Sequence, residues 1–382
     1  MKKLVLSLFT LLIAAGTLMA QDIKSNIDAA LNLSKDADKA LGSFNLDQAG
    51  NKDKLVEAHG YIVDVEAKVG AIDKAALQSA FSDEDDVEDA MKDLSKVWFR
   101  AGEVYNEIAN QIVVAKQLQQ GDVTGMPTVQ RPAVKATNAY KMALAMAVKK
   151  YQRKDAVKGL QSVQRNLNNM AIFSFETKDY AGAYQNFNGT IDAHELLTAN
   201  DGESLLADDA QYNDQLYYAG LAALNGQMVE KAAPLFEKLY KANYDNPLVY
   251  EGLYKVNLPT ELKQGDEGYD SGMEKAYTYL KTGRDKYPED ISLLFAEINH
   301  YLTTGRLDEL IGKLKKAIDK EPDNKSLYST LGNVYDNLYQ KEYTAGNVEK
   351  ANEYFNSALE YYNKATEKDP TFVDAIYSIG AL

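Results

Sequence analysis

The sequence has no cysteine. That excludes disulfides, even in a compartment that would permit them, so stability has to come from packing. It also excludes a lipid-anchored lipoprotein, which needs a cysteine just after its apolar leader. Histidine is nearly as scarce: His59, His194 and His300 lie more than 100 residues apart and share no local motif. A zinc centre would have to gather them with carboxylates by folding, so solvated or structural histidines are expected, with no metal and no cofactor. There is no G-x-S-x-G, no phosphate-cradling glycine loop and no histidine beside a nucleophile. No enzyme is expected. The densest acidic run, Ser82-Asp-Glu-Asp-Asp-Val-Glu-Asp89, lacks the alternating ligands and glycine of a calcium loop. A serine cap followed by acids in a helix's first turn explains it better. Asn200-Asp201-Gly202-Glu203 and Asp208-Asp209 read likewise as turn and cap residues.

Long apolar runs are missing too, apart from one at the start. Lys2 and Lys3 precede an apolar stretch over residues 4–15, and Ala20 offers a small residue before Gln21. A bilayer-spanning helix needs about 20 apolar residues. The shorter run reads as a signal peptide over residues 1–20, cleaved between Ala20 and Gln21, and no later segment could span. The expected product is periplasmic or secreted and is not a lipoprotein. Removing residues 1–20 takes away two lysines and no acid, leaving 40 basic against 56 acidic residues, a net charge of −16. Such a surface repels phosphate backbones and anionic lipid, which argues against nucleic-acid and membrane partners.

What remains is a chain of 382 residues, 45% apolar and 26% charged, with 26 tyrosines. It is too long for one ordinary core, which suggests several domains or an elongated array. Self-similarity decides between them. Trp98-x2-Ala101-Gly102-x2-Tyr105 and Tyr328-x2-Leu331-Gly332-x2-Tyr335 are one phrase, Leu216-x2-Ala219-Gly220-x2-Ala223 is a third copy, and Ile376-x2-Ile379-Gly380 begins a fourth. A second phrase, a small residue and then a large one four later, follows at Ala183/Phe187, Ala232/Phe236, Ala276/Leu280 and Ala358/Tyr362. Several copies close on Pro247, Pro288, Pro322 and Pro370. Residues four apart share a helix face, so each phrase is an apolar stripe. The small residues let two helices approach and the large ones fill the space beside them. Proline then stops the second helix.

This pattern resembles the tetratricopeptide repeat family, whose unit is two helices in about 34 residues. The copies begin near 95, 164, 213, 247, 291, 325 and 373. The resemblance implies an all-α fold, a right-handed α-solenoid of helix–turn–helix repeats with an N-terminal helical extension. The expected organisation is a helical cap over 21–94, a divergent repeat with a long insertion over 95–163, the array over 164–372, and an incomplete repeat over 373–382. Within the cap, residues 23–41, 52–69 and 87 onward have helical period. The extra residues between Tyr335 and Ala358 are helix-like, so a tall hairpin is expected, each helix longer by about two turns. Residues 259–272, with Gly265, Gly268 and Gly272, read as a surface loop. So do residues 119–134, where Pro127 and Pro132 bar a helix. The chain stops in mid-phrase. A repeat cannot bury its apolar face alone, so the array is expected to continue past Leu382, a short terminal cap being the alternative.

The resemblance also implies a concave groove lined by the first helix of each pair. Its groove positions fall here on Arg165, Asn168, Tyr217, Leu221, Phe295, Asn299, Ser329, Asn333 and Tyr377. Together they are aromatic and amide, which suits binding of proteins or peptides. The family's carboxylate clamp pairs Lys with Asn. Here Asn299 and Asn333 are present, but Phe295 and Ser329 replace the lysines, so recognition of a chaperone's terminal carboxylate is not expected. The expected role is an exported interaction scaffold, similar to exported tetratricopeptide proteins of Gram-negative bacteria. The alternative is a solute- or glycan-binding accessory of an outer-membrane uptake system, although such proteins carry a cysteine where Gln21 stands.

Overall fold

The computed structural model describes residues 2–46, 51–117 and 123–382, with side chains from Ala20 onward. Part of the loop expected at 119–134, residues 119–122, lies outside the described residues. Among the described residues there are sixteen α-helices and no strand. They fall into two compact units, Met1–Leu235 and Phe236–Leu382.

The first unit opens with α1 (Lys2–Leu46) and α2 (Lys52–Val69). Both bury residues at alternating steps of three and four: Ile27, Ala30, Ser34, Ala37, Leu41 and Phe44 on α1, and Leu55, Ala58, Ile62, Val65 and Val69 on α2. That heptad spacing keeps one seam facing a partner helix along its whole length, and the two helices pack on each other. The expected helix over 23–41 is therefore longer. A further helix, α3 (Lys74–Ala80), was not expected, because seven residues are too few to show a period. Next comes α4 (Glu84–Gln117), with Glu84, Asp85 and Asp86 in its first turn. Its cap is Asp83, not Ser82: the Asp83 carboxylate accepts from the Asp85 N–H at 3.0 Å.

The repeats proper are helix pairs. α4 packs on α5 (Pro132–Ala145), and α6 (Lys150–Glu176) on α7 (Tyr180–Ala199); α8 (Asp209–Asn225) packs on α7, and α9 (Val229–Lys241) crosses the boundary between the two units. The boundary expected at 164 falls inside α6, which begins fourteen residues earlier. Pro132 does not bar a helix but starts one, at the first turn where its missing N–H has no partner to lose. Trp98, Ala101, Gly102 and Tyr105 are all buried, as are Leu216, Ala219, Gly220 and Ala223. Tyr140 of α5 shows why the first phrase needs glycine. A Cβ on Gly102 would stand 2.5 Å from the Tyr140 ring, and one on Gly159 of α6 would overlap the same ring.

The second unit contains α10 (Leu248–Val256), α11 (Tyr269–Lys286), α12 (Ile291–Thr304), α13 (Leu307–Lys320), α14 (Lys325–Thr344), α15 (Val348–Lys368) and α16 (Val373–Ala381). α10 packs on α11, α12 on α13 and α14 on α15. Gly332 repeats the close approach, with Tyr362 where Tyr140 stands in the first unit. The tall hairpin is present: α14 and α15 have 20 and 21 residues against 14 in each of α12 and α13. Its added turns are filled by rings, Tyr339 on Phe355 at 5.5 Å among them, and Gly346 at φ 80° makes the turn. The loop after α10 is largely exposed, and Gly265 and Gly268 adopt the positive φ that glycine permits. Gly272 belongs instead to α11.

Between α15 and α16, Asp369 is held at about 2 by its hydrogen bonds from Lys325 and from the Thr371 side chain and N–H. A carboxylate lowered on folding stabilises above its ordinary value of 3.8 and stops doing so as pH falls through about 2. Asp369→Asn is thus expected to melt earlier than the wild type at pH 7, with the difference vanishing as pH drops from about 4 to about 2. A difference independent of pH across that window would show that the ion pair contributes nothing.

A candidate protein-binding groove

A groove of about 570 Å³ lies in the first unit, between α6 and α8, with α7 behind it. Its construction starts from a buried glutamine. Gln164 of α6 is 1% exposed. Its Nε2 donates to Ser204 Oγ at 2.9 Å and its Oε1 accepts from the Leu205 N–H at 2.9 Å. Burying an amide is tolerable only when its hydrogen bonds are made, so Gln164 fixes the segment between α7 and α8 against α6. Asp208 then caps α8, accepting from the Ala210 N–H at 2.8 Å. The Asn200–Glu203 turn and the Asp208 cap fall where the sequence put them.

The segment thus held presents Leu205 at the groove's edge. Ile172, Leu205 and Tyr218 are 43%, 48% and 49% exposed, an unusual grouping of large apolar side chains at one site. The floor is Phe187, on whose ring Tyr218 stacks at 5.9 Å and 25°. Beneath the stack, Gln215 Nε2 donates to the Phe187 carbonyl at 3.1 Å. Asn168 and Gln211 bring amides to the lining, and Glu176 and Asp214 carboxylates.

Of the residues expected in a groove, Asn168 and Leu221 line this one. Arg165 is exposed on α6 but is not part of the lining. Tyr217 is a correction: at 8% exposure it belongs to the core, and its neighbour Tyr218 takes the groove position. Successive residues point about 100° apart around a helix, so Tyr217 meets the core while Tyr218 meets the groove. Ser329 is likewise buried, at 6%, on a helix packed by α13, α15 and α16. In the second unit Phe295 is half-buried against the core, and Asn299 is exposed. Asn333 is exposed too and accepts from the Tyr362 hydroxyl at 2.7 Å. Tyr377 is 76% exposed on α16.

One pairing was invisible in the sequence. His194 Nδ1 lies 2.9 Å from Ser204 Oγ, the spacing of a base and a nucleophile. Ser204 Oγ, however, already accepts from Gln164 Nε2 and, at 3.1 Å, from the Leu206 N–H. The hydroxyl is thus engaged by Gln164, Leu206 and His194 within the turn itself. The pair fastens the turn. His59 and His300 are also structural: His59 sits edge-on to Tyr105 at 5.9 Å, and His300 is fully buried and stacked on Tyr277 at 4.4 Å.

No protein-family model and no curated protein sequence matches the chain. Several solved structures are similar. One is a thermophilic tetratricopeptide protein of Thermus thermophilus, 18% identical, with a TM-score of 0.37 over 57% of this chain and 97% of that one. Another is YrrB, a tetratricopeptide protein with an unusual peptide-binding site, 18% identical, with a TM-score of 0.39 over 61% and 98%. A tetratricopeptide repeat protein from Parabacteroides merdae is 14% identical, with a TM-score of 0.34 over 92% and 98%. The fold assignment rests on the helix pairs and their buried contacts of glycine with aromatic rings: this chain is an all-α helical repeat protein with a tetratricopeptide-like fold.

Proposed function

We propose that this chain is an exported scaffold, without catalytic activity, that binds a peptide or protein segment in the groove between α6 and α8. One observation carries the reading. Ile172, Leu205 and Tyr218 stand together in solvent, Leu205 on a segment fastened by Gln164 and Tyr218 stacked on the Phe187 ring, so apolar surface is held open before any partner arrives. Apolar surface already ordered in its binding shape avoids the entropy cost of ordering on association. The amides of Asn168 and Gln211 at its border suit the backbone of an extended segment.

A photoreactive residue replacing Leu205 tests this on protein purified from the cells that make it. It is expected to cross-link to a saturable protein partner in envelope extracts. Ile172→Asp with Tyr218→Asp is expected to weaken that partner's affinity by about tenfold or more while leaving helix content intact. Undiminished binding by the double variant would move the site elsewhere. Glycan binding in calorimetry with no protein cross-linked would replace the scaffold by the solute-binding accessory. Export itself predicts a mature polypeptide beginning at Gln21, read directly from its mass.

A further inference from the structure

Taking the groove as a binding site, we infer that acid weakens its hold on its occupant, through a hydrogen bond from Ser204 to His194 that forms only while the imidazole is neutral. Proton counting fixes the direction of that bond. The Leu205 N–H donates to Gln164 Oε1 at 2.9 Å, which sets the orientation of the amide and turns its Nε2 to Ser204 Oγ, also at 2.9 Å. The Leu206 N–H donates to the same hydroxyl oxygen at 3.1 Å. A hydroxyl accepts two hydrogen bonds and donates one. Both lone pairs of Ser204 are used, so its proton goes to His194 Nδ1 at 2.9 Å, in preference to Gln164 Oε1 at 3.4 Å. Nδ1 then carries no proton, and the neutral ring holds its hydrogen on Nε2.

An imidazolium has a proton on both nitrogens and would aim one of them at an oxygen with no lone pair left. The ring therefore charges only by parting from Ser204, or by displacing Gln164 or Leu206 from it. Each route releases a bond of the turn that presents Leu205 at the groove's edge. His194 is half-buried on α7, its ring 5.0 Å from that of Tyr212 on α8. Burial disfavours the charged ring and lowers its pKa from the ordinary 6.5, while Glu195 on the same helix opposes that shift. Lys141 of α5 is paired with Asp192 of α7 at 2.9 Å, and Arg165 of α6 and Glu203 beside Ser204 are exposed. A ring whose pKa falls on folding contributes in full above 6.5, and the contribution is lost as pH drops from there through the lowered value. His59 and His300 lie outside the lining, so the effect belongs to His194.

Three measurements on the purified chain test this. Nitrogen-15 spectra of the imidazoles, with His194 identified by its loss in His194→Asn, are expected to show the Nε2–H tautomer at about pH 7.5. Hydrogen exchange at Leu205 and Leu206, corrected for the pH dependence of an unstructured chain, is expected to lose about fivefold in protection between about pH 7.5 and about pH 5, the worth of one hydrogen bond. In His194→Asn an amide oxygen can accept from Ser204 without titrating, and that loss is expected to vanish. A heptapeptide without His, Asp or Glu, selected on the wild type at the higher pH, is expected to bind about fivefold more weakly at the lower one, and equally at both in His194→Asn. An Nδ1–H tautomer, the same losses in His194→Asn, or an affinity unmoved while protection falls would overturn this inference and leave the groove as a binding site. Peptides held as tightly by Ile172→Asp with Tyr218→Asp as by the wild type would overturn both.

Discussion

Tyr140→Ala is expected to destabilise the first unit by about 3–5 kcal/mol, the range for truncating a large buried aromatic. The Tyr140 ring lies between two helices, with the bare backbones of Gly102 on α4 and Gly159 on α6 against its faces. Removing it opens a cavity that neither backbone can close without moving a whole helix. The reciprocal change is expected to be harmful for the opposite reason. Gly159→Leu places a side chain where the ring already is, and overpacking costs about 1–3 kcal/mol. Combining the two is expected to recover part of the loss, because leucine would occupy space the ring had vacated. The single tryptophan makes the measurement local. Trp98 is 7% exposed on α4 and one turn from Gly102, so its fluorescence follows unfolding of this unit. In urea the Trp98 transition is expected to move to lower concentration in each single variant and part of the way back in the double. A midpoint unmoved by Tyr140→Ala would mean that the ring is not what joins these repeats.

The same contact shows how far the sequence could be read. Trp98-x2-Ala101-Gly102-x2-Tyr105 announced a helix needing a close neighbour. Its partner phrase, Ala136-x3-Tyr140, falls outside the repeat's spacing because a long insertion separates it from the first. The tall hairpin was legible, since extra residues that keep the helical stripe can only lengthen the helices carrying it. The groove was legible by location and not by detail. Repeat position places Asn168 and Leu221 on the lining, but it also points to Tyr217, because the lining of α8 runs through Gln211, Asp214, Tyr218 and Leu221 and leaves Tyr217 on its buried edge. Leu205 could not have been found in this way. Its place depends on Gln164, 41 residues earlier, and nothing in either local sequence signals that hydrogen bond. Periodicity reports helix faces; it does not report which loop is fastened over them.

Glu297 departs from the repeat pattern in a way that gives a second large effect. In the phrase Leu294-x2-Glu297-Ile298-x2-Tyr301 it occupies the position held by Ala101, Ala219 and Leu331 in other copies, and its side chain is 3% exposed. One carboxylate oxygen accepts from Lys313 Nζ at 2.8 Å and from the Tyr277 hydroxyl at 3.1 Å. The other lies 3.4 Å from Arg284 Nε. Arg284 also donates to the Asp290 carbonyl at 2.9 Å, so one cluster ties α11, α12 and α13. Replacing Glu297 by the signature leucine restores an apolar core position but strands the cations. Lys313, at 29% exposure, can turn its ammonium to water, while Arg284, at 14%, has less freedom. Breaking one side of a buried pair costs about 3–5 kcal/mol, and with Lys313 free to turn away the lower end of that range is expected for Glu297→Leu. Adding Arg284→Met removes the stranded guanidinium along with its hydrogen bond to Asp290. Hydrophobic replacement of a buried pair is often neutral or better, so the double variant is expected to be more stable than Glu297→Leu alone by at least about 1 kcal/mol. Tyrosine near-ultraviolet dichroism in urea follows the transition, since the second unit has no tryptophan. A loss under about 1 kcal/mol for Glu297→Leu, or strict additivity in the double, would show that the three side chains do not act as one charged unit.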